Sequence, residues 1–273
     1  MLRYGDRTRA EGRQKPPMMF ANYIGIDYSG RETPLSRTPA LQVYAVTGDR
    51  LPEQVNPPSA PQGKDRNWCR KEVAEWLLQQ AASGEPFIAG IDHAFSFPLS
   101  YFKRNNLSDW DEFLEDFCKH WPTDQERICV VDLREGNPRT GTNDEFRLTD
   151  RWTSSAKSVF QFDIQGQVAC STHAGLPWLR RIKEEAGDRV HFWPFDGWSV
   201  PDGRSVIAEV YPSILRKRYP REGHSADQHD AYAVARWLNE MNRRGALARY
   251  FDPPLSEEER RMADLEGWIL GIL

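Results

Sequence analysis

Residues 23–27 read Tyr-Ile-Gly-Ile-Asp, a short apolar run that ends in a carboxylate. Residues 87–92 read Phe-Ile-Ala-Gly-Ile-Asp and end in the same way. Runs of this length with almost no polar residue are typical of strands at the centre of a sheet. A carboxylate at the end of a buried strand costs free energy unless something neutralises it. Asp27 and Asp92 therefore indicate a charged site at one edge of a sheet.

Another pair of carboxylates, Asp227 and Asp230, opens a helical pattern over residues 226–242. Residues three apart lie on the same side of a helix, and Val234 and Leu238 continue that side as an apolar stripe. The pattern predicts that both acids face the sheet rather than solvent.

The four acids are predicted to form one cluster, provided that the strands ending at Asp27 and Asp92 are neighbours. Such a cluster cannot stay fully ionised without a cation, and the pKa of one or more members would rise. Mg²⁺ or Mn²⁺ suits it best, because these hard cations prefer oxygen ligands. Two such ions, about 3.5–4 Å apart, can activate a water and stabilise the leaving oxygen of a phosphodiester.

Each of these acids also has a structural interpretation. Asp27 can begin a turn, and Asp92 is compatible with a helix cap or a loop. Asp227 is compatible with an acid in the first turn of a helix, where the helix dipole favours it. Asp230 lies deeper on the apolar face and fits a purely structural role least.

Glu209 lies between apolar neighbours in a strand pattern over residues 206–211. Two interpretations stay open for it: a fifth acid of the site, or a buried partner for an arginine. We favour the site. The candidate catalytic residues are the five acids Asp27, Asp92, Glu209, Asp227 and Asp230.

The chain as a whole predicts strands followed by helices. Strand patterns cover residues 22–28, 41–46, 51–55, 86–92 and 206–211, and helical patterns cover 65–80, 108–119, 176–186 and 226–242. A hairpin is predicted over 159–168, and a loop over 135–150. This order favours an α/β fold around a mixed five-stranded sheet flanked by helices. A long insertion, about 100–200, separates the fourth and fifth strands.

The length of 273 residues suits one large domain with an insertion. We assign 1–20 to a basic tail, with a nucleic-acid-binding arm as the alternative. Residues 21–250 form the domain, and 251–273 form a C-terminal helix that is capped by Ser256 and ends in an apolar segment. That segment, 268–273, can dock on the protein's own core or on a partner.

Composition excludes several classes of protein. The net charge of −4 is not that of a polycation, although 36 lysines and arginines can still form a local basic groove. The four cysteines have no Cys-x-x-Cys spacing, which argues against a zinc site or a disulfide framework. No apolar stretch approaches the roughly 20 residues of a membrane helix, and the first residues lack the apolar core of a signal peptide. We expect a cytoplasmic protein with no membrane contact.

Positive charge concentrates near Trp152 in the predicted insertion. Basic and aromatic side chains together suit a nucleic-acid backbone and its stacked bases. A solvated insertion with ordinary charges is the alternative. The candidate substrate-binding residues are Arg147, Arg151 and Lys157.

Four segments together resemble the ribonuclease H-like superfamily: Ile24-Gly25-Ile26-Asp27, Gly90-Ile91-Asp92, Glu209-Val210-Tyr211-Pro212 and Asp227-x-x-Asp230-Ala231. Within that superfamily, these segments most resemble the predicted-nuclease family known as domain of unknown function 429. The Asp-x-x-Asp-Ala helix also resembles that of RuvC-type Holliday junction resolvases. The resemblance spans roughly 23–238. It implies a metal-dependent nuclease that acts on DNA or RNA, with Asp27, Asp92 and Asp230 as ligands and Asp227 or Glu209 assisting.

Two other classes of function stay open. Asp27-Tyr28-Ser29-Gly30 resembles the first phosphate loop of actin-like ATPases, which implies a nucleotide-binding phosphotransferase. No convincing second glycine-rich loop follows a later strand. The other class is a non-catalytic module that binds nucleic acid or protein, with the apolar C-terminal segment as a contact for a partner or a second copy of the chain.

Overall fold

The computed structural model, which describes residues 20–60, 67–153, 155–163 and 168–273, contains a sheet of six strands flanked by helices. The strands are β1 Asn22–Asp27, β2 Gln42–Thr47, β3 Glu53–Gln54, β4 Phe87–Asp92, β5 Val190–Trp193 and β6 Ser205–Glu209. Their order across the sheet is β3-β2-β1-β4-β6-β5. The predicted basic tail lies outside the described residues except for Phe20, which is buried.

The sheet is mixed, as the sequence predicts. β2 pairs antiparallel with both β1 and β3, whereas β4, β6 and β5 all run parallel to β1. All five predicted strands are present, although the third is only two residues long. The count of five is wrong because β5 joins the edge beside β6. At four residues, β5 is too short for a periodic pattern to identify it.

Helices cover both faces of the sheet. In the described residues they are α1 Arg70–Ala82, α2 Leu99–Asn105, α3 Trp110–His120, α4 Val130–Arg134, α5 Leu148–Trp152, α6 Val168–Ala186, α7 Ala226–Arg243, α8 Leu247–Tyr250 and α9 Glu257–Glu266. α1 and α6 pack together on one face, and α7 packs on β1 and β2 from the other.

Successive residues of the central strands supply two separate cores. Ile24 and Ile26 belong to the core under α1 and α6, while Tyr23 and Ile88 belong to the core under α7. Because side chains alternate across a strand, a strand buried on both faces must be apolar at nearly every position. This requirement explains the unbroken apolar runs of β1 and β4.

The inserted region is helical, and the hairpin predicted over 159–168 is wrong where it is described. Val159 and Phe160 form a buried turn, and α6 already begins at Val168. The ring of Phe160 packs 4.8 Å from that of Phe97, so its apolar character reflects burial in a core rather than strand pairing. Residues 164–167 of the predicted hairpin lie outside the described residues.

Helix boundaries in the insertion also differ from prediction. α6 starts eight residues before the predicted 176, so that Pro177 lies inside the helix rather than at its start. The last part of the predicted loop over 135–150 is helical, because α5 begins at Leu148. α3 begins two residues after the predicted 108 and is capped by Asp109, whose side chain accepts a hydrogen bond from Glu112 N at 2.8 Å.

The apolar C-terminal segment docks on the protein's own core. Trp268, Ile269, Leu270 and Ile272 are buried, and Leu270 N donates to the carbonyl oxygen of Glu209 at 2.9 Å. α9 starts at the predicted Ser256 cap but ends before this segment. Of the two interpretations of the segment, the structure therefore supports the internal one, and this apolar surface is not free for a partner.

Two negative predictions concern membranes and disulfides. Among the described residues, no helix combines the length and the apolar character needed to cross a bilayer. All four cysteines are free thiols, and Cys69 is buried.

Candidate functional site

Asp27 and Asp92 lie directly opposite each other at the ends of β1 and β4. Because these strands are parallel neighbours, their carboxyl ends reach the same edge of the sheet. Both side chains are partly exposed there. The predicted cluster required these strands to be neighbours, and the sheet order meets that condition.

Glycine in both central strands lets α7 lie close to the sheet. Gly25 and Gly90 face each other across β1 and β4. A Cβ at Gly25 would overlap the carbonyl oxygen of Ala231, and a Cβ at Gly90 would come within 2.7 Å of Val234 Cγ1. The glycines of the two Gly-Ile-Asp motifs are therefore explained by the approach of α7, whose first turns carry the other two acids.

The start of α7 is fixed by a reciprocal cap. Ser225 Oγ accepts from Gln228 N at 3.1 Å, and Gln228 Oε1 accepts from Ser225 N at 2.9 Å. Asp227 and Asp230 follow this cap and are partly buried, as predicted for acids that face the sheet. The cap therefore sets the position from which both carboxylates extend.

A Gly25→Ala variant is expected to lose about 1–3 kcal/mol of unfolding free energy, because the added methyl group forces α7 away from β1. The same displacement moves Asp230 away from Asp27 and Asp92, so the affinity for a cation is expected to fall as well. Chemical denaturation and Mn²⁺ titration of the folded variant measure the two effects. Wild-type stability in this variant would contradict the close packing of α7.

The carboxylates of the cluster repel one another. Burial raises the pKa of Asp27 well above its ordinary value, and Asp92, Asp227 and Asp230 raise it further. Arg216 acts in the opposite direction. Asp27 is thus a carboxyl group whose ionised form the protein destabilises, as expected for a site that receives a positive charge.

The other acids share this environment. Burial raises the pKa of Asp92 well above its ordinary value, and the charges of Asp230 and Glu209 add to the rise. Burial also raises the pKa of Asp230 and of Asp227. Burial therefore disfavours the ionised form of all four predicted acids, and neighbouring carboxylates add to this effect at Asp27, Asp92 and Asp230.

The raised pKa of Asp92 predicts how stability depends on pH in the absence of metal. The folded protein holds the Asp92 proton to a higher pH than the unfolded chain does. In the unfolded chain the pKa of this carboxyl group has its ordinary value of 3.8. The unfolded state therefore loses its proton first, and the unfolding free energy falls as pH rises from there through the raised pKa.

An Asp92→Asn variant lacks this titration and is expected to gain stability relative to wild type as pH rises through that window. Denaturant unfolding in EDTA at several pH values measures the difference, with the exposed Asp202→Asn as the matched control. A difference that is constant with pH, or that favours wild type at high pH, would contradict the raised pKa of Asp92.

Arg216 supplies a positive charge inside the cluster. Its Nη1 lies 2.9 Å from Asp230 Oδ2 and 3.3 Å from Oδ1. Sequence reasoning missed this residue. The available signal was the basic run Arg216-Lys217-Arg218, which lies shortly before the helix that carries Asp230.

Glu209 is the buried partner of an arginine, which corrects its assignment as a fifth acid of the site. Its Oε1 and Oε2 accept from Arg147 Nη2 at 2.6 Å and Nη1 at 2.7 Å. Arg147 also donates to Asp150, with 2.8 Å from Nη2 to Oδ1 and 3.1 Å from Nε to Oδ2. Glu209 therefore affects the cluster through its charge on Asp92, and its two oxygens are occupied by the guanidinium.

Arg147 is not placed to bind substrate, which corrects the sequence-based assignment. Its side chain is only 2% exposed. Burial opposes its charge, but Asp150 and Glu209 outweigh burial and keep the pKa of Arg147 well above its ordinary value. A guanidinium whose donors are committed to two buried carboxylates is not free to reach a phosphate.

Arg151 and Lys157 are exposed, as substrate-binding residues must be. Ser155 lies two residues before Lys157, and its Oγ is 3.2 Å from the hydroxyl oxygen of Tyr211. Tyr211 follows β6 by two residues, so the 155–157 segment lies at the same edge of the sheet as the carboxylates. Their assignment to substrate binding stays a prediction.

The donors of the cluster suit a hard divalent cation in chemistry, but their positions are not those of a closed coordination shell. Asp27, Asp92 and Asp230 offer only oxygen atoms, which Mg²⁺ and Mn²⁺ prefer. Within the described ranges, no three His, Cys, Asp or Glu side chains are grouped closely enough to hold a metal ion. Arg216 instead lies on Asp230 as the positive charge. The donors therefore fit a hard cation in kind but not in spacing, and the positive charge beside Asp230 is that of Arg216.

Comparison with known proteins adds nothing to these observations: no family model, curated protein or solved structure gives a significant match to this chain.

Proposed function

We propose that this chain is a Mg²⁺- or Mn²⁺-dependent nuclease with a ribonuclease H-like fold, which hydrolyses phosphodiester bonds with water as the nucleophile. The supporting observation is the convergence of Asp27, Asp92 and Asp230 at one edge of a mixed sheet. Carboxylates on two adjacent parallel strands and on a helix packed against them agree with the cluster that the ribonuclease H resemblance implies.

In this proposal Asp27, Asp92 and Asp230 hold the cations, and Asp227 assists from the preceding turn of α7. A bound divalent cation, or a pair of them, supplies Lewis-acid activation of a phosphoryl oxygen and lowers the pKa of a water. The chain's own contribution is orientation: the strand register fixes Asp27 against Asp92, and the capped start of α7 fixes Asp230.

Basic side chains beside the cluster support an anionic substrate. The basic segment, residues 216–221, leads into α7, and its exposed cations are Arg216, Lys217, Arg218 and Arg221. Burial raises the pKa of Asp227, and the charges of Arg31 and Arg221 oppose that rise. Phosphate oxygens accept charge-assisted hydrogen bonds from such side chains. We therefore assign phosphate contact to the basic segment rather than to Arg147.

The packing of the loop after β1 favours a nuclease over the phosphotransferase alternative. Arg70 donates to three carbonyl oxygens of this loop, those of Ser29 at 3.3 Å, Arg31 at 2.8 Å and Glu32 at 2.9 Å. A Cβ at Gly30 would overlap the backbone of Cys170 in α6. A loop held between Arg70 and α6 in this way is not open to cradle a nucleotide phosphate.

The proposal is tested by incubating the purified protein with single-stranded, duplex and branched DNA and RNA, each with Mg²⁺, with Mn²⁺ and with EDTA. Cleavage that requires a divalent cation and stops in EDTA is the expected result. Tight ATP binding without cleavage of any nucleic acid would favour the phosphotransferase. Nucleic-acid binding without cleavage or cation dependence would favour the non-catalytic module.

A further inference from the structure

Arg216 pairs a half-exposed guanidinium with a mostly buried carboxylate. Its side chain is 43% exposed, whereas that of Asp230 is 15% exposed. The Arg216 side chain therefore extends inward from the surface to contact Asp230. Because solvent reaches the guanidinium side of this pair, water screens the attraction and Arg216 can exchange its partner at low cost.

The backbone of Arg216 is held in place while its side chain is not enclosed. Its carbonyl oxygen accepts from Tyr219 N at 3.2 Å and lies 3.2 Å from His229 Nε2. The preceding residue, Leu215, is buried. A fixed backbone with a long, half-exposed side chain permits the guanidinium to move by rotamer changes without moving the chain.

A guanidinium and a metal ion compete for the oxygens of Asp230. The Arg216 contacts involve both Oδ1 and Oδ2, which are the atoms that a cation would need. Arg216 also acts on Asp27 and Asp92, since its charge stabilises their ionised forms. One arginine therefore balances part of the charge that a divalent cation would balance more fully.

We propose that Arg216 is the internal counter-ion of the carboxylate cluster, that a divalent cation displaces it from Asp230, and that the released guanidinium binds a phosphate of the substrate. The inference rests on the proposed function. The exposed Lys217 and Arg218 lie next to Arg216, so a displaced guanidinium enters a surface already suited to an anion. Guanidinium groups bind phosphate through paired hydrogen bonds, as they bind carboxylate.

The first arm of the test measures Mn²⁺ binding, through the loss of the EPR signal of free Mn²⁺, in wild type, Arg216→Gln, Arg216→Lys and Arg218→Gln. We expect Arg216→Gln to bind Mn²⁺ about 5-fold more tightly, or more, because the competing charge is gone. Arg216→Lys keeps the charge and is expected to stay closer to wild type. Arg218→Gln, the matched control on the same segment, is expected to change affinity less than about 2-fold.

The second arm measures binding of a nuclease-resistant phosphorothioate oligonucleotide in the presence of Mn²⁺. Arg216→Gln and Arg218→Gln are both expected to bind it more weakly than wild type, since each loses one phosphate contact. Of these two variants, only Arg216→Gln is expected to change the two affinities in opposite directions. It binds Mn²⁺ more tightly and the oligonucleotide more weakly than wild type. Circular dichroism confirms that each variant is folded.

The outcomes separate this inference from the proposed function. If wild type binds Mn²⁺ and Arg216→Gln binds it equally or more weakly, Arg216 is not the competitor, although the metal site stands. Oligonucleotide affinity unchanged in Arg216→Gln would overturn the transfer to phosphate. If neither wild type nor any variant binds Mn²⁺, the metal site and the inference both fail.

Discussion

An Asp27→Asn variant is expected to lose cation-dependent nucleic-acid cleavage by more than about 100-fold while it keeps its fold. Asparagine matches aspartate in size but has no charge and one acceptor oxygen fewer. Loss of groups that merely orient a metal ligand costs about 10–100-fold, so loss of a ligand is expected to cost more. Because burial and the neighbouring carboxylates both destabilise ionised Asp27, the variant is also expected to be more stable than wild type without metal.

The matched control is Asp202→Asn, the same chemical change at an exposed aspartate. Asp202 precedes β6, at the amino end of the parallel strands and thus at the opposite edge from the carboxylates. Cleavage assays on the two purified variants and wild type give the comparison. Full activity of Asp27→Asn would remove Asp27 from the catalytic site, whereas loss in both variants would show that the assay reports something other than the cluster.

An Arg147→Met variant is expected to lose about 3–5 kcal/mol of unfolding free energy. Methionine fills much of the same volume but leaves Glu209 and Asp150 buried without their partner, and an uncompensated buried charge is costly. The uncompensated Glu209 charge acts on Asp92 as well, so any folded variant is expected to bind Mn²⁺ differently from wild type. Urea denaturation measures the main effect.

Arg151→Met provides the control, since Arg151 is an exposed arginine of α5 only four residues away. Its substitution is expected to change stability by no more than about 0.5 kcal/mol. If Arg147 were instead a substrate-binding residue, its loss would weaken nucleic-acid binding and leave stability near that of wild type. That result would contradict the buried pair with Glu209.

The central part of the fold is predictable from sequence because its signals are local. The runs that end at Asp27 and Asp92 identify strands without knowledge of their partners, and the stripe through Asp230 and Val234 identifies an inward face of α7. The order of strands in the sheet is not a local property, so the sequence leaves the pairing of these two strands as a condition of the predicted cluster. Register, which places Asp27 opposite Asp92, follows once the motifs are aligned.

The insertion was harder to predict because its apolar residues are buried in turns and short helices. Val159 and Phe160 look like part of a strand, yet they pack in a turn against an aromatic core. Nothing in the spacing of such residues distinguishes these two kinds of burial. Helices of five residues, such as α5, offer too few turns for a periodic pattern.

Ion pairs between distant parts of the chain account for the remaining errors at the site. Arg147 and Glu209 are 62 residues apart in sequence, and the pairing of Arg216 with Asp230 spans 14. A sequence shows that these side chains are charged but not which charges meet. Arg147 was therefore assigned to substrate, and Arg216, whose guanidinium lies on a predicted metal ligand, was overlooked.

The central claim is that Asp27, Asp92 and Asp230 form a divalent cation site, and calorimetric titration with Mn²⁺ and Mg²⁺ tests it most directly. The comparison is between wild type and the Asp27→Asn/Asp230→Asn double variant, with circular dichroism to establish that both are folded. Wild type is expected to bind with millimolar or tighter affinity, and the double variant to give only the heat of dilution. Equal binding by the two proteins, or no binding by either, would contradict the assignment of these carboxylates as metal ligands.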